Sequence, residues 1–157
     1  MYICTMKRIL FVCHGNICRS PMAEFIMKKL IRQAGAENDF LVASAATHND
    51  ELGNPVYPMA RQELAKHGIG CPGHQARLLS PDDYNAYDLI IGMDANNMQD
   101  MLQLFGSDPD AKLHLIMEYT GQPRDVADPW YTRNFTATWR DLFEACSALF
   151  LQLSSNA

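Results

Sequence analysis

A cysteine and an arginine, Cys13 and Arg19, share the short loop Cys13-His14-Gly15-Asn16-Ile17-Cys18-Arg19-Ser20. An apolar run stands directly before it and a Ser-Pro step closes it. A phosphate group needs many hydrogen-bond donors fixed in a ring, together with a positive field. A strand, a tight loop and a helix N-terminus supply both, through backbone N–H groups and the helix dipole. Gly15 is expected to permit the tight turn at no steric cost. Arg19 can curl back to grip two phosphate oxygens in a bidentate fork, and Ser20 can offer its hydroxyl to the Cys13 sulfur. The same donors favour the thiolate form of Cys13. That makes it a nucleophile at neutral pH, aimed at phosphorus. His14, Gly15, Asn16, Ile17, Cys18 and Ser20 then complete a phosphate-binding loop. The Walker-type run Gly-x4-Gly-Lys-Ser/Thr is absent from the chain. The pattern is therefore one for cleaving a phosphate ester, not for holding a nucleotide.

Such a reaction needs a proton for the leaving group and then a base to activate water, and one carboxylic acid can serve both steps. Asp125 and Asp128 are among the candidates, and Pro129 stiffens the turn that carries Asp128. Asn16 is suited to bracing a loop that is otherwise strained. Read as a metal pair with His14, the loop cysteines lack a fourth ligand and have the wrong spacing, so no metal or cofactor is expected. His48, His67 and His114 form no usable pattern.

The elements that must position these groups read as an α/β alternation. Ile9–Val12 is a continuous apolar run, as in a strand buried on both faces. Ser20-Pro21 reads as N-cap and first-turn proline of a helix reaching about Ala34, stopped by Gly35. A second strand is expected over Phe40–Ser44, and a helix over Pro55–His67 with Val56, Met59, Ala60 and Leu64 on its inner face. A third strand is expected over Asp88–Gly92, a helix over Ala95–Phe105, and a fourth strand over Leu113–Met117. The last helix carries the clearest stripe: Phe135, Trp139, Leu142, Phe143, Cys146, Leu149, Phe150 and Leu153. Alternating strands and helices imply a three-layer α/β fold, a four-stranded parallel sheet with helices on both faces. Ligands of such sheets bind where strands end and helices begin.

Bulk composition narrows the function classes. The chain has 157 residues, 48% hydrophobic and 20% charged, with a net charge of -5 and no basic tract. It is expected to form one domain over 1–157, with 1–6 as a loose extension. Nucleic-acid and membrane partners are not expected. The five cysteines have no framework spacing, and the N-terminal apolar run is too short for a signal core. A cytoplasmic location is expected.

The stretch Val12–Glu24, VCHGNICRSPMAE, resembles the signature of the low-molecular-weight protein tyrosine phosphatases. The likeness continues through Ser44-Ala45-Ala46-Thr47, Gly53-Asn54-Pro55, His74-Gln75-Ala76-Arg77, Gly92-Met93-Asp94 and Asp128-Pro129-Trp130-Tyr131. It implies metal-free hydrolysis of phosphotyrosine proteins or peptides and aryl phosphates through a phosphocysteine, with inorganic phosphate as product. It also assigns the acid to Asp128, partners of Asn16 to Ser44 and His74, and a reversible protective disulfide to Cys13 and Cys18. The chain departs from the family at two positions: His14 follows the nucleophile, and Asp50 stands where relatives carry an aromatic cleft wall. Trp130 and Tyr131 can still flank a substrate ring. Other readings are an arginine phosphatase, whose loop has Thr where Ile17 stands, and an arsenate reductase, whose cysteine relay Cys71 and Cys146 are too far apart in sequence to form. A third is a catalytically dead phosphate-binding module.

Overall fold

The computed structural model describes residues 6–155. The expected loose extension, Met6 apart, lies outside the described residues. β1 (Lys7–Cys13), β2 (Phe40–Ala46), β3 (Leu89–Gly92) and β4 (Leu113–Leu115) form one parallel sheet in the order β2-β1-β3-β4. Around it run α1 (Arg19–Gln33), α2 (Pro58–Lys66), α3 (Asp83–Ala86), α4 (Ala95–Phe105), α5 (Pro129–Thr132) and α6 (Phe135–Ser155). The expected three-layer α/β architecture is what forms.

β1 is central because it is apolar on both faces. Ile9, Leu10, Phe11 and Val12 are all fully buried. Ile9 and Phe11 face the larger core beneath α1 and α6, with Met22, Ile26, Leu142 and Leu149. Leu10 and Val12 face a smaller one with Ile90, Met101 and Leu113. At roughly 1.5–3 kcal/mol for each fully buried large apolar side chain, these layers hold the strand ends in place. After β1 the chain crosses to β2 on one side, and later to β3 on the other. The loop following Cys13 therefore opens at the point where the strand order reverses, a crevice at the carboxyl ends of the strands.

Several boundaries differ from expectation. α1 starts at Arg19 with Cys18 as its N-cap, so Ser20 lies inside the first turn and its hydroxyl is free for the loop. Gly35 (φ 67) follows the end of α1, where a left-handed residue is needed. α2 begins only at Pro58, and Met59 is turned outward while Val56, Ala60 and Leu64 are buried. The run expected as a strand to Met117 stops at Leu115 and tightens into a 3-10 turn over Ile116–Thr120. A strand would have required partners beyond β3, which itself ends at Gly92. Phe143, counted on the apolar stripe of the last helix, is exposed. The short α3 and α5 were not foreseen, because four residues hold too little periodicity. Gly92 allows α4 to approach β3: a Cβ there would meet Asn97 Cβ at 3.0 Å and Met101 Cε at 3.1 Å.

Candidate active site

Cys13 ends β1 at the bottom of a cleft of about 600 Å³. Its sulfur is the focus of three groups. The backbone N–H groups of Asn16 and Ser20 point at Sγ from 3.3 and 3.4 Å, and Ser20 Oγ lies 3.0 Å away. Asn16 Nδ2 donates to that same Ser20 oxygen at 2.8 Å, which leaves the Ser20 hydroxyl proton free to point at the sulfur. Donors converging on one sulfur are the surroundings that a thiolate requires.

The loop turns at Asn16, not at Gly15. Asn16 has φ 61, in the left-handed region, while a Cβ on Gly15 would come no nearer than 3.4 Å to Glu51. The expectation for Gly15 is corrected: asparagine tolerates this conformation because its polar side chain finds local partners. Here it is fully buried and every polar group is used. Nδ2 donates to Ser20 and, at 2.9 Å, to Ser44 Oγ. Oδ1 accepts the Arg77 N–H at 3.2 Å, and the Asn16 carbonyl accepts His74 Nε2 at 2.8 Å. Ser44 in turn donates to Glu24 Oε1 at 2.6 Å, and Lys28 Nζ donates to Glu24 Oε2 at 2.5 Å. Ser44 and His74 thus both hydrogen-bond to Asn16. Glu24 and the Arg77 backbone were missed as members of this network, although both lie in the stretches that carried the resemblance.

Arg19 is 3% exposed and is held by acceptors on three sides. Nη1 donates to Asp94 Oδ2 at 2.6 Å and to the Val126 carbonyl at 2.9 Å, and Nη2 approaches Asp128 Oδ2 at 3.4 Å. Burial opposes its charge, but Cys13, Asp94 and Asp128 outweigh it and hold the guanidinium above its ordinary pKa. Asp94 escaped the sequence reading as a site residue. It caps α4 through the Asn97 N–H at 2.8 Å and uses its other oxygen on Arg19. The aspartate before a helix was the available signal.

Asp128 lines the cleft and caps α5, its Oδ1 accepting the Trp130 N–H at 3.0 Å. Asp125 is directed elsewhere: its Oδ1 accepts the Ala95 N–H at 3.1 Å, and it does not line the cleft. Geometry thereby separates two carboxylates that the sequence left side by side. Cys18 is a buried free thiol in the loop. Burial foremost, then the neighbouring Cys13 and Asp128, pushes its pKa upward. Cys146, on the stripe of α6, is a fully buried free thiol.

The rim carries the departures. His14 Nε2 lies 2.8 Å from Asp50 Oδ2, and its ring stacks on that of His48 at 3.9 Å and 10°. His48, which showed no pattern in sequence, thus joins the site. Ile17, Cys18, Glu51, Asp100, Trp130 and Tyr131 also line the cleft. Trp130 meets Tyr57 edge-on at 5.1 Å, and Tyr131 is 81% exposed.

Comparison with known proteins gives one answer. The family profile described as low molecular weight phosphotyrosine protein phosphatase matches residues 8–157. A chicken (Gallus gallus) protein of that name is 36% identical over 148 residues, covering 91% of this chain and 93% of the relative. The crystal structure of YfkJ from Bacillus subtilis superposes with TM-score 0.94 at 33% identity, covering 97% of each chain. The structure of DARP, a Drosophila arginine phosphatase, gives TM-score 0.86 at 30% identity, covering 97% of this chain and 100% of that one. With the loop, the sheet and the matched length in agreement, the chain belongs to the low molecular weight phosphotyrosine protein phosphatase family.

Proposed function

We propose that this protein hydrolyses phosphotyrosine in proteins or peptides, and aryl phosphates, through a phosphocysteine on Cys13. One observation carries the reading: donors converge on Cys13 Sγ while Arg19 and Asp128 meet at the same cleft. The phosphate dianion sits in the loop of backbone N–H groups from His14 to Ser20, at the N-terminus of α1, and Arg19 provides the fork. Cys13 Sγ attacks phosphorus; the P–S bond forms as the ester P–O bond breaks. Asp128 gives its proton to the departing phenolic oxygen. In the second step Asp128, now a carboxylate, takes a proton from water as that water attacks phosphorus. Inorganic phosphate leaves and the thiolate returns. Asp94 and the Val126 carbonyl hold the Arg19 fork, and Asn16, Ser44 and His74 hold the loop.

Cys18 is the disulfide partner of Cys13 under peroxide: a sulfenic acid on Cys13 condenses with the Cys18 thiol, releasing water. Among the described residues no helix is long and apolar enough to cross a membrane. Ile17 sides with tyrosine over arginine as the phosphorylated residue. Matched phosphotyrosine and phosphoarginine peptides, with rapid acid quenching and mass spectrometry of the loop peptide, test the whole reading. Preferential phosphotyrosine turnover with phosphate on Cys13 is expected. Faster phosphoarginine turnover, or no phosphate on Cys13, would overturn it.

A further inference from the structure

The β1–β2 pairing does not stop at the strand ends. Cys13 is in register with Ala46, and beyond it the Thr47 N–H donates to the Cys13 carbonyl at 2.9 Å and the His48 N–H to the His14 carbonyl at 3.0 Å. This extension sets His14 and His48 side by side, 34 positions apart in sequence, with rings parallel within 10°. Both imidazoles are held from outside the stack. His14 Nε2 bonds Asp50 at 2.8 Å; His48 Nδ1 bonds Thr47 Oγ1 at 2.9 Å and lies 3.8 Å from Asp100 Oδ2. Their side chains remain 48% and 44% exposed, and both line the cleft above Cys13.

A metal does not explain the arrangement: among the described residues, no three His, Cys, Asp or Glu side chains are grouped so as to hold one. Nor does stability, because exposed histidine–carboxylate pairs contribute little. What the arrangement does offer is a pair of aromatic rings of fixed mutual orientation lining the cleft, carried by the loops after β1 and β2. Trp130 and Tyr131 supply aromatic surface from the α5 segment of the same cleft.

We propose that His48, stacked on His14, is a specificity-determining residue, the two imidazoles forming the wall against which the ring of the phosphorylated side chain packs. Asp50, bonded to His14, holds this wall from the position where the resemblance puts an aromatic cleft wall in relatives. The inference rests on the phosphatase reading for its ligand class, but not for its geometry. Aromatic packing adds modest affinity, so the discrimination should be several-fold.

The test separates ring from phosphate. Dissociation constants of benzylphosphonate and methylphosphonate are measured by calorimetry for the wild type, His48→Ala and His48→Phe, alongside turnover of a phosphotyrosine peptide. His48→Ala should weaken benzylphosphonate about five- to tenfold and methylphosphonate less than about twofold. His48→Phe, which restores a flat ring, should recover most of the difference. Equal weakening of both phosphonates, no weakening of either, or failure of the phenylalanine to restore the preference would overturn the wall. Intact discrimination in a wild type that turns over no phosphotyrosine peptide would support the wall and overturn the phosphatase reading instead.

Discussion

The floor and the rim of the cleft are built to different rules. On the floor, Asn16 alone uses five hydrogen bonds, and Cys13, Ser20, Ser44, Glu24 and Arg19 are all buried. Among the described residues no buried side-chain N or O atom lacks a partner. On the rim, His14, Asp50 and His48 make a few contacts across exposed surface, and Tyr131 stands almost free in solvent. A left-handed asparagine and a buried guanidinium persist only where their surroundings over-determine them. The floor therefore tolerates little change, while the rim can vary at small cost. Under the proposed function, reaction type belongs to the first and substrate choice to the second.

Substitutions should reproduce that division, from the floor outward. Cys13→Ser removes the nucleophile and should lower kcat by about 10⁴-fold or more, with the fold retained by circular dichroism. A residual rate within tenfold of the wild type would exclude the phosphocysteine. Asp128→Ala should reduce kcat about 10²- to 10³-fold on a phenyl phosphate, and far less on an aryl phosphate whose leaving group needs no proton. A leaving-group plot with unchanged slope would return the acid to other candidates; Asp125→Ala should leave that slope as it is.

Asn16→Ala deletes the side-chain bonds to Ser20, Ser44 and Arg77 and leaves a non-glycine residue at φ 61 without the bonds that compensate it. We expect a loss of about 3 kcal/mol in urea unfolding, whereas Asp50→Asn on the rim should stay within about 0.5 kcal/mol. Comparable losses at the two positions would erase the distinction between floor and rim. Cys18 offers the smallest and subtlest check. Because burial and its anionic neighbours push its thiol up, iodoacetamide at neutral pH should label Cys13 first. Phosphate should slow that labelling, as followed by peptide mass spectrometry. Faster labelling of Cys18 would show that the loop opens more readily than its hydrogen bonds imply.

Much of this was legible beforehand because it is local. Ile9–Val12 must be buried, Gly35 must end a helix, and Cys13 to Ser20 must form one continuous loop, since neighbours in sequence share a backbone. Misreadings fall where local chemistry allowed two outcomes. Gly15 had the freedom to turn, but Asn16 took the turn because buried partners awaited its amide. Leu113–Met117 had strand composition, but β3 offered a partner only as far as Leu115. Asp125 and Asp128 differ in sequence only by the proline that follows one of them.

The sequence by itself determined the nucleophilic loop, the strand before it and the helix after it, because hydrogen-bond donors, turn and dipole all arise within one short segment. Only the tertiary structure decided what surrounds that loop. The sheet order β2-β1-β3-β4 brings Ser44 and His48 from one side, Asp94 from the other, and leads the chain back to place Val126 and Asp128 beside Arg19. These are contacts across 28 to 109 positions, and no local pattern encodes them. The stacked imidazoles follow from that same order, since two strand ends must lie side by side before their next residues can meet.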